Sequence, residues 1–398
     1  MKFKRSLFIL LKITICFGLV MTLSGCTDDV QNDAFEIEPE FAVAEPTPTP
    51  VPPPVTLVPW EGHVYHLFFN EVIAFPDIAF PDQTNPYGLD DFMLTVNEFN
   101  LILEGLHRNG FILVGMHEVW SEYTNLYGQQ RMQRNTLILP YGRTPITITF
   151  DNLTFHHEPY NAFMHRYIIG EDGEVWAEGI DRNGNRLISQ DYTVITILDN
   201  FIRNNPDFTH TGARGGIAQT GLHGILGYRT QDSFTDDSEE FRLNRMKEIA
   251  RVRPVIDRLN ETGWYWASQS WGHIRLDTAS LDAVIHDAER WANEVGSLVG
   301  DTDILIYAHG GRLDGGDLWV DNVGPAARHY INELGFRMFA AIGPSPFYML
   351  REDVPAVMMD RMAIDGMTLR RARDRFMMFF DAEEVFDPLR PHGEVLWD

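Results

Sequence analysis

Cysteine is almost absent from this chain, with Cys16 and Cys26 the only two in 398 residues. A folded part that begins beyond them has no disulfide, no thiolate metal ligand and no cysteine nucleophile. Positive charge is scarce too: 32 Lys and Arg stand against 57 Asp and Glu, a formal net charge of -25. Residues 1–25 hold four bases (Lys2, Lys4, Arg5, Lys12) and no acid, so the remainder carries close to -29. Such a field repels nucleic acid and suits a neutral or cationic ligand. No G-x-S-x-G elbow, Walker A loop, G-x-G-x-x-G fingerprint or H-E-x-x-H helix occurs, which sets aside the chemistries those patterns mark. His156-His157-Glu158 lacks the spacing that places two ligands on one helix face.

Long apolar runs are confined to the start. MKFKR supplies a basic region, LFILLKITICFGLVMT an apolar one, and Leu23-Ser24-Gly25-Cys26 a small-residue cleavage site. The pattern over 1–25 reads as a bacterial lipoprotein signal, with Cys26 as the lipidated first residue of the mature chain. That predicts a lipid anchor on the extracytoplasmic face of the cell membrane. The alternatives are a plain signal peptide and a spanning helix, but Lys12 interrupts the run and its length falls short of a span. Residues 26–59 are acidic and then proline-rich (AEPTPTPVPPPVTLVP), a composition that cannot bury a core and favours extended geometry. They read as a stalk, and 60–398 as the globular part.

From Trp60 onward apolar strands alternate with amphipathic helices. The strands read as 64–69, 111–116, 146–150, 215–219, 264–268, 303–308 and FRMFAAIG (336–343). Between them, Thr95 and Glu98 form a capping box, and helices are predicted over about 238–261, 279–298 and 325–335. Strands that are apolar throughout and separated by helices belong to a parallel sheet covered on both faces. Seven of them predict an α/β fold, a distorted, incomplete (β/α)7 barrel, with a doubly wound sheet as the alternative. Asp172-Gly173 and Asn183-Gly184 break 164–189 into short β-rich runs, a β-hairpin or three-stranded insertion after the third strand.

In such folds ligands meet the carboxyl ends of the strands. The residues there are Asn70 and Glu71, His117 and Glu118, Asp151 and Asn152, Gln219, Gln269 to His273, and His309. Turn formers and helix caps produce the same pattern, so the collection says more than any one member.

At TFDN (149–152) and SQSWGH (268–273) the sequence resembles the polysaccharide deacetylases of carbohydrate esterase family 4, the NodB-homology group. The likeness extends from about His63 to the C-terminus and takes in TGLHGILGYRT (220–230) and FDAEEVFDP (380–388). It implies the incomplete barrel, a divalent metal such as zinc, and removal of N- or O-acetyl groups from a polysaccharide or peptidoglycan. In the family motif T-F-D-D the first aspartate is the general base and the second a metal ligand; here they fall on Asp151 and Asn152. In H-S-x-x-H both histidines bind metal; here the positions hold Gln269 and His273. The stretch YAHGG (307–311) stands where a cleft-lining motif is expected, so the resemblance points to Tyr307 and His309. Asp360-Arg361 falls in the region that orients the base, making Arg361 a catalytic candidate. Amide oxygens at Asn152 and Gln269 are weak, uncharged donors, and His309, His156 or His157 would have to supply a displaced ligand.

Three functions are open. One is a lipid-anchored, metal-dependent deacetylase in which Asp151 activates water. Another is an inactive, glycan-binding pseudoenzyme with a degraded metal site, using Trp264, Trp266 or Trp271 as stacking platforms. A third, a glycosidase pairing Glu118 with Asp151, needs two carboxyl groups about 5 to 9 Å apart.

Overall fold

The computed structural model describes residues 55–151, 153, 159–233, 235–315 and 323–391. Residues 1–54, including Cys26, lie outside them, as do Asn152, His156 and His157.

The strands in chain order begin with β1 (Leu57–Trp60), β2 (Tyr65–Asn70), β3 (Phe111–Leu113), β4 (Trp120–Thr124), β5 (Gln130–Arg134) and β6 (Leu137–Pro140). Then come β7 (Thr144–Asp151), β8 (Arg166–Ile169), β9 (Val175–Ile180), β10 (Arg186–Ser189) and β11 (Gly216–Gln219). The last are β12 (Tyr265–Ser268), β13 (Ile304–Ile306), β14 (Met338–Ile342), β15 (Tyr348–Leu350) and β16 (Val357–Ala363). Strand pairing thus begins at Leu57, three residues before the expected boundary at Trp60.

Seven strands close a parallel ring in the order β11, β12, β13, β14, β16, β2, β7 and back to β11. Closure removes the doubly wound alternative. β7 (TPITITFD) shows why a parallel strand reads as one apolar run: after Thr144 every residue is buried, so β-branched and aromatic side chains suit both faces.

The count of seven matches the sequence reading, but the membership does not. Phe111–Leu113 pairs with the start of β7, Leu113 opposite Ile146, and otherwise only bridges Thr209 among the described residues, while the end of β7 turns to β11. The seventh ring member is β16, VMMDRMA, whose central Asp-Arg pair disguises it. Arg361 points into the ring, and Asp360 pairs outside it with Arg312 at 2.9 Å.

The amino-terminal end of the ring is capped by β-structure that the sequence reading left out. β4 pairs with β5 and β1 with β6, both antiparallel. Trp120, Met132, Leu137 and Leu139 from this cap cluster with Ile304, Met338 and Val357, the first residues of ring strands. The segment after β7 forms a three-stranded antiparallel sheet, β8, β9 and β10.

The helix Val96–Arg108 carries the capping box of Thr95 and Glu98 and buries Phe99, Ile102, Leu103 and Leu106 completely, each worth ~1.5–3 kcal/mol in transfer terms. Glu98 has a second task. Both its oxygens accept from the fully buried Arg390 at 2.6 and 2.7 Å, and Arg390 also donates to Asp90 at 2.8 Å, clamping the C-terminal segment onto the start of this helix. The helix Glu239–Thr262 tolerates Pro254 and ends at Gly263, whose φ of 96° favours glycine. No described helix is long and apolar enough to cross a membrane.

Candidate functional site

Alternate residues of the ring strands face inward, and on β2, β7 and β16 these form a polar column inside an otherwise apolar barrel. From the cap towards the mouth it runs His66, Thr149, Arg361 and Asp151. Arg361 is fully buried and grips Asp151 with both terminal nitrogens, Nη1 to Oδ1 at 2.8 Å and Nη2 to Oδ2 at 3.1 Å. Its Nη1 also donates to Thr149 Oγ1 at 3.1 Å, and its guanidinium lies 4.1 Å from the Phe68 ring centre. His66 Nε2 lies 3.1 Å from the same Thr149 hydroxyl. Burial, reinforced by Arg361, holds His66 well below the usual histidine range, so the ring is neutral.

Gln269, just beyond β12, completes the grip. Its Nε2 donates to Asp151 Oδ2 at 2.9 Å, and its buried Oε1 has no partner among the described residues. Asp151 therefore receives three N–H donors.

His273 and His309 stand at the mouth with ring centres 4.3 Å apart, and His309 Nε2 lies 3.2 Å from the His273 carbonyl oxygen. Both take left-handed backbone, φ 52° and 55°, uncommon for a residue with a side chain. Burial pushes His273 down to about 4, with His309 adding to the shift and Asp151 opposing it. Its imidazole is neutral at pH 7 and able to donate a lone pair.

Several candidates do not join this group. Glu118 sits on the one-turn helix Met116–Val119, where it accepts from Gly115 N, His210 Nδ1 and Thr211 Oγ1, each at 2.7 Å. His117 bonds Asp303, just before β13, at 2.8 Å. Both belong to the amino-terminal end because β3 stops at the level of Ile146, five residues before Asp151. The pairing of Glu118 with Asp151 as acid and base therefore fails. Tyr307 is fully buried and packs outward against Leu305, Ala327 and Tyr330, since β13 turns its even-numbered residues inward. Trp271 is 5% exposed: Arg290 lies 3.5 Å from its ring centre, and its Nε1 donates to Glu294 at 3.0 Å. Its carbonyl accepts from Gly221 and Leu222 at 2.9 Å, and a Cβ on Gly221 would fall 2.1 Å from the indole. Trp264 and Trp266 are buried as well. None of the three tryptophans is a platform for a ligand.

Two of the strand-end polar residues do structural work. Gln219 donates to the carbonyls of Thr220 and Gly224, fixing the loop between them. Glu71, fully enclosed, accepts from Tyr167 Oη at 2.7 Å and from Val72 N and Val194 N at 3.0 Å; burial pushes it up to about 7. The sequence reading missed Thr149 and His66, whose only signal was inward parity on their strands.

A catalytic zinc centre takes about three protein ligands of imidazole and carboxylate type. Among the described residues no group of three His, Cys, Asp or Glu is placed to hold a metal. His273 is a suitable donor, but Gln269 presents nitrogen to Asp151, and the Asp151 carboxylate lies beside a guanidinium that disfavours a second cation. The described donor set does not fit the metal that the resemblance implies.

No family model matches the chain, and no curated protein matches it. Four solved structures match the chain. The Streptococcus pyogenes deacetylase PplD, solved in complex with acetate, shares 11% identity at TM-score 0.39, with 78% of this chain covering 94% of that one. BC0361, a polysaccharide deacetylase from Bacillus cereus, shares 11% at TM-score 0.39, with 77% of this chain covering 66% of that one. IcaB from Ammonifex degensii shares 11% at TM-score 0.38, with 77% of this chain covering 93% of that one.

Proposed function

We propose that this chain is a polysaccharide-deacetylase-type protein that recognises acetylated glycan at the carboxyl-terminal mouth of its barrel and holds it there without hydrolysing it. The observation that carries this reading is Gln269. At a position where TFDN and SQSWGH lead one to expect a metal-binding imidazole, it donates a hydrogen bond to Asp151. With Arg361 on both oxygens and Gln269 on Oδ2, Asp151 is an anchored anion, three of its four lone-pair sites engaged by the protein rather than by a metal-bound water. The mouth that remains has Gln269, neutral His273 and exposed His309, groups suited to hydroxyl and amide partners of a neutral sugar.

The test is metal content together with acetate release. The purified protein is expected to carry zinc well below one per chain and to release no acetate from acetylated chito-oligosaccharide or xylan, while still retaining the oligosaccharide. Asn152→Asp with Gln269→His is expected to tighten zinc binding at least ~100-fold, because it restores an anionic and an imidazole ligand. A second reading, hydrolysis with His309 as a displaced ligand, draws on the close, left-handed pair His273 and His309. Stoichiometric metal and acetate release lost in Asp151→Asn would establish it and sink the first.

Cys26 and the stalk support a lipid anchor on the extracytoplasmic face, with the barrel carried out towards the wall. Cys26→Ser is then expected to abolish palmitate incorporation and move the protein from the membrane fraction to the soluble one. Unchanged labelling would rule the anchor out.

A further inference from the structure

Away from the mouth, the wall of the ring has a gap at its amino-terminal end. β2 meets β16 only at Met362 and Ala363, opposite Leu67 and Phe68, and below that level β15 takes the place on β16, with Tyr348 opposite Met359. Two strands sharing one edge leave a wedge between them, and a cavity opens there into the barrel. Met116, Val119, Thr147 and Met359 line its depth with His66, and Tyr348 and Phe347 stand partly exposed at its entrance.

His66 gives this cavity a polar floor. Its side chain is 95% enclosed, and its Nδ1 has no partner among the described residues. The tautomer follows from the column above it. Arg361 can only donate to Thr149 Oγ1, and since His66 Nε2 is the hydroxyl's other partner among the described residues, we assign the hydroxyl proton to that nitrogen. With Nε2 accepting, the neutral ring carries its proton on Nδ1, a buried N–H donor with nothing to donate to. The two charged groups nearby are occupied: Arg134 donates to the Gly62 carbonyl and lies over Tyr348, and Asp360 pairs with Arg312. The acid is thus neutralised, and apolar walls beside one unpartnered buried ring nitrogen suit a neutral group with one acceptor and an apolar end.

We propose that this cavity is a second sugar-binding site, remote from Asp151, which takes the acetamido arm of an N-acetylated sugar, its carbonyl oxygen on His66 Nδ1–H and its methyl among Met116, Val119 and Met359. The cavity's water-accessible volume of about 30 Å³ takes about two water-sized groups, too little for a pyranose ring and enough for the oxygen and methyl at the end of such an arm. The ring would remain at the entrance against Tyr348, 41% exposed and braced by Trp120 at 4.8 Å, and against Phe347. The choice of an acetylated sugar rests on the proposed function; the unpartnered donor and the gap do not.

The experiment is a titration of the full chain, labelled with ¹⁵N-histidine, with N-acetylglucosamine, acetamide and glucose. N-acetylglucosamine and acetamide are expected to move the His66 Nδ1–H resonance and glucose to leave it in place. Tyr348→Ala, at the exposed entrance, is expected to weaken N-acetylglucosamine binding about 3- to 10-fold without changing the acetamide response. His309→Ala, at the mouth, is expected to weaken retention of the oligosaccharide there and to leave the His66 Nδ1–H responses to both probes in place, which separates this site from the one proposed at the mouth. No response to N-acetylglucosamine, as from a cavity holding ordered water only, or an equal response to glucose, overturns the proposal.

Discussion

Replacing Arg361 by methionine is expected to destabilise the folded chain by about 3–5 kcal/mol, because it leaves the Asp151 carboxylate buried without its cation. The two side chains are 0% and 5% exposed, so neither can turn to water when its partner is removed. The remaining donor on Asp151, Gln269 Nε2, carries no charge and cannot replace a bidentate guanidinium. Asp151→Asn should cost a comparable amount for the mirror-image reason, an arginine buried beside a neutral amide. The double substitution Arg361→Met with Asp151→Asn removes both charges and should recover a large part of the loss. Urea denaturation of the four proteins gives the coupling energy directly. Additive losses in the double variant would mean that the two residues do not act as a pair. A native-like near-ultraviolet spectrum in each variant keeps the comparison within one fold.

Raising the pH is expected to destabilise the protein through Glu71. Burial lifts this carboxyl from 4.5 to about 7 despite hydrogen bonds from Tyr167, Val72 and Val194. The folded state therefore keeps a proton that the unfolded chain releases. The stability this gives is fully present below pH 4.5, falls as pH rises from there to 7, and is flat above, a change of about 3 kcal/mol. Glu71→Gln cannot release a proton and should lack this component. The difference in unfolding free energy between the variant and the native protein should thus shift by about 3 kcal/mol in favour of the variant between pH 4.5 and 8. Other carboxylates titrate equally in both proteins and cancel. Parallel stability curves would show that Glu71 is ionised in the fold at neutral pH. The consequence is also structural, since Glu71 joins the end of β2 to Tyr167 on β8 and to the first residue of the helix Val194–Asn204.

The alternation of apolar runs and helices, the parallel barrel and the capping box at Thr95 and Glu98 were legible in the sequence because each is a local pattern. A β-branched run such as ITITF is driven to a strand buried on both faces wherever it lies, and Ser/Thr-x-x-Glu before an apolar stripe starts a helix in almost any context. Asp151 was legible as the polar end of such a run. Which strands share the ring was not. FIL and VMMDRMA differ by a charged pair that argues against the second, yet β16 is the ring member, because Asp151 and Arg312 wait on either side of it. Nor could the sequence tell Glu118 from Asp151, both polar residues after apolar strands. Only the register of β3 on β7 sends Glu118 to the far end.

By itself, then, the sequence determined the class of fold, its charge, the absence of cysteine beyond Cys26 and the substitutions at 152 and 269, since these depend on residue identity and short-range periodicity. The tertiary structure alone decided that Gln269 donates to Asp151, that Arg361 holds both its oxygens, that Tyr307 and Trp271 are buried in the packing outside the ring, and that His66 Nδ1 is left without a partner among the described residues. Each of those depends on which strands lie side by side and at what offset, and a one-residue change of register would move every one of them to the other face.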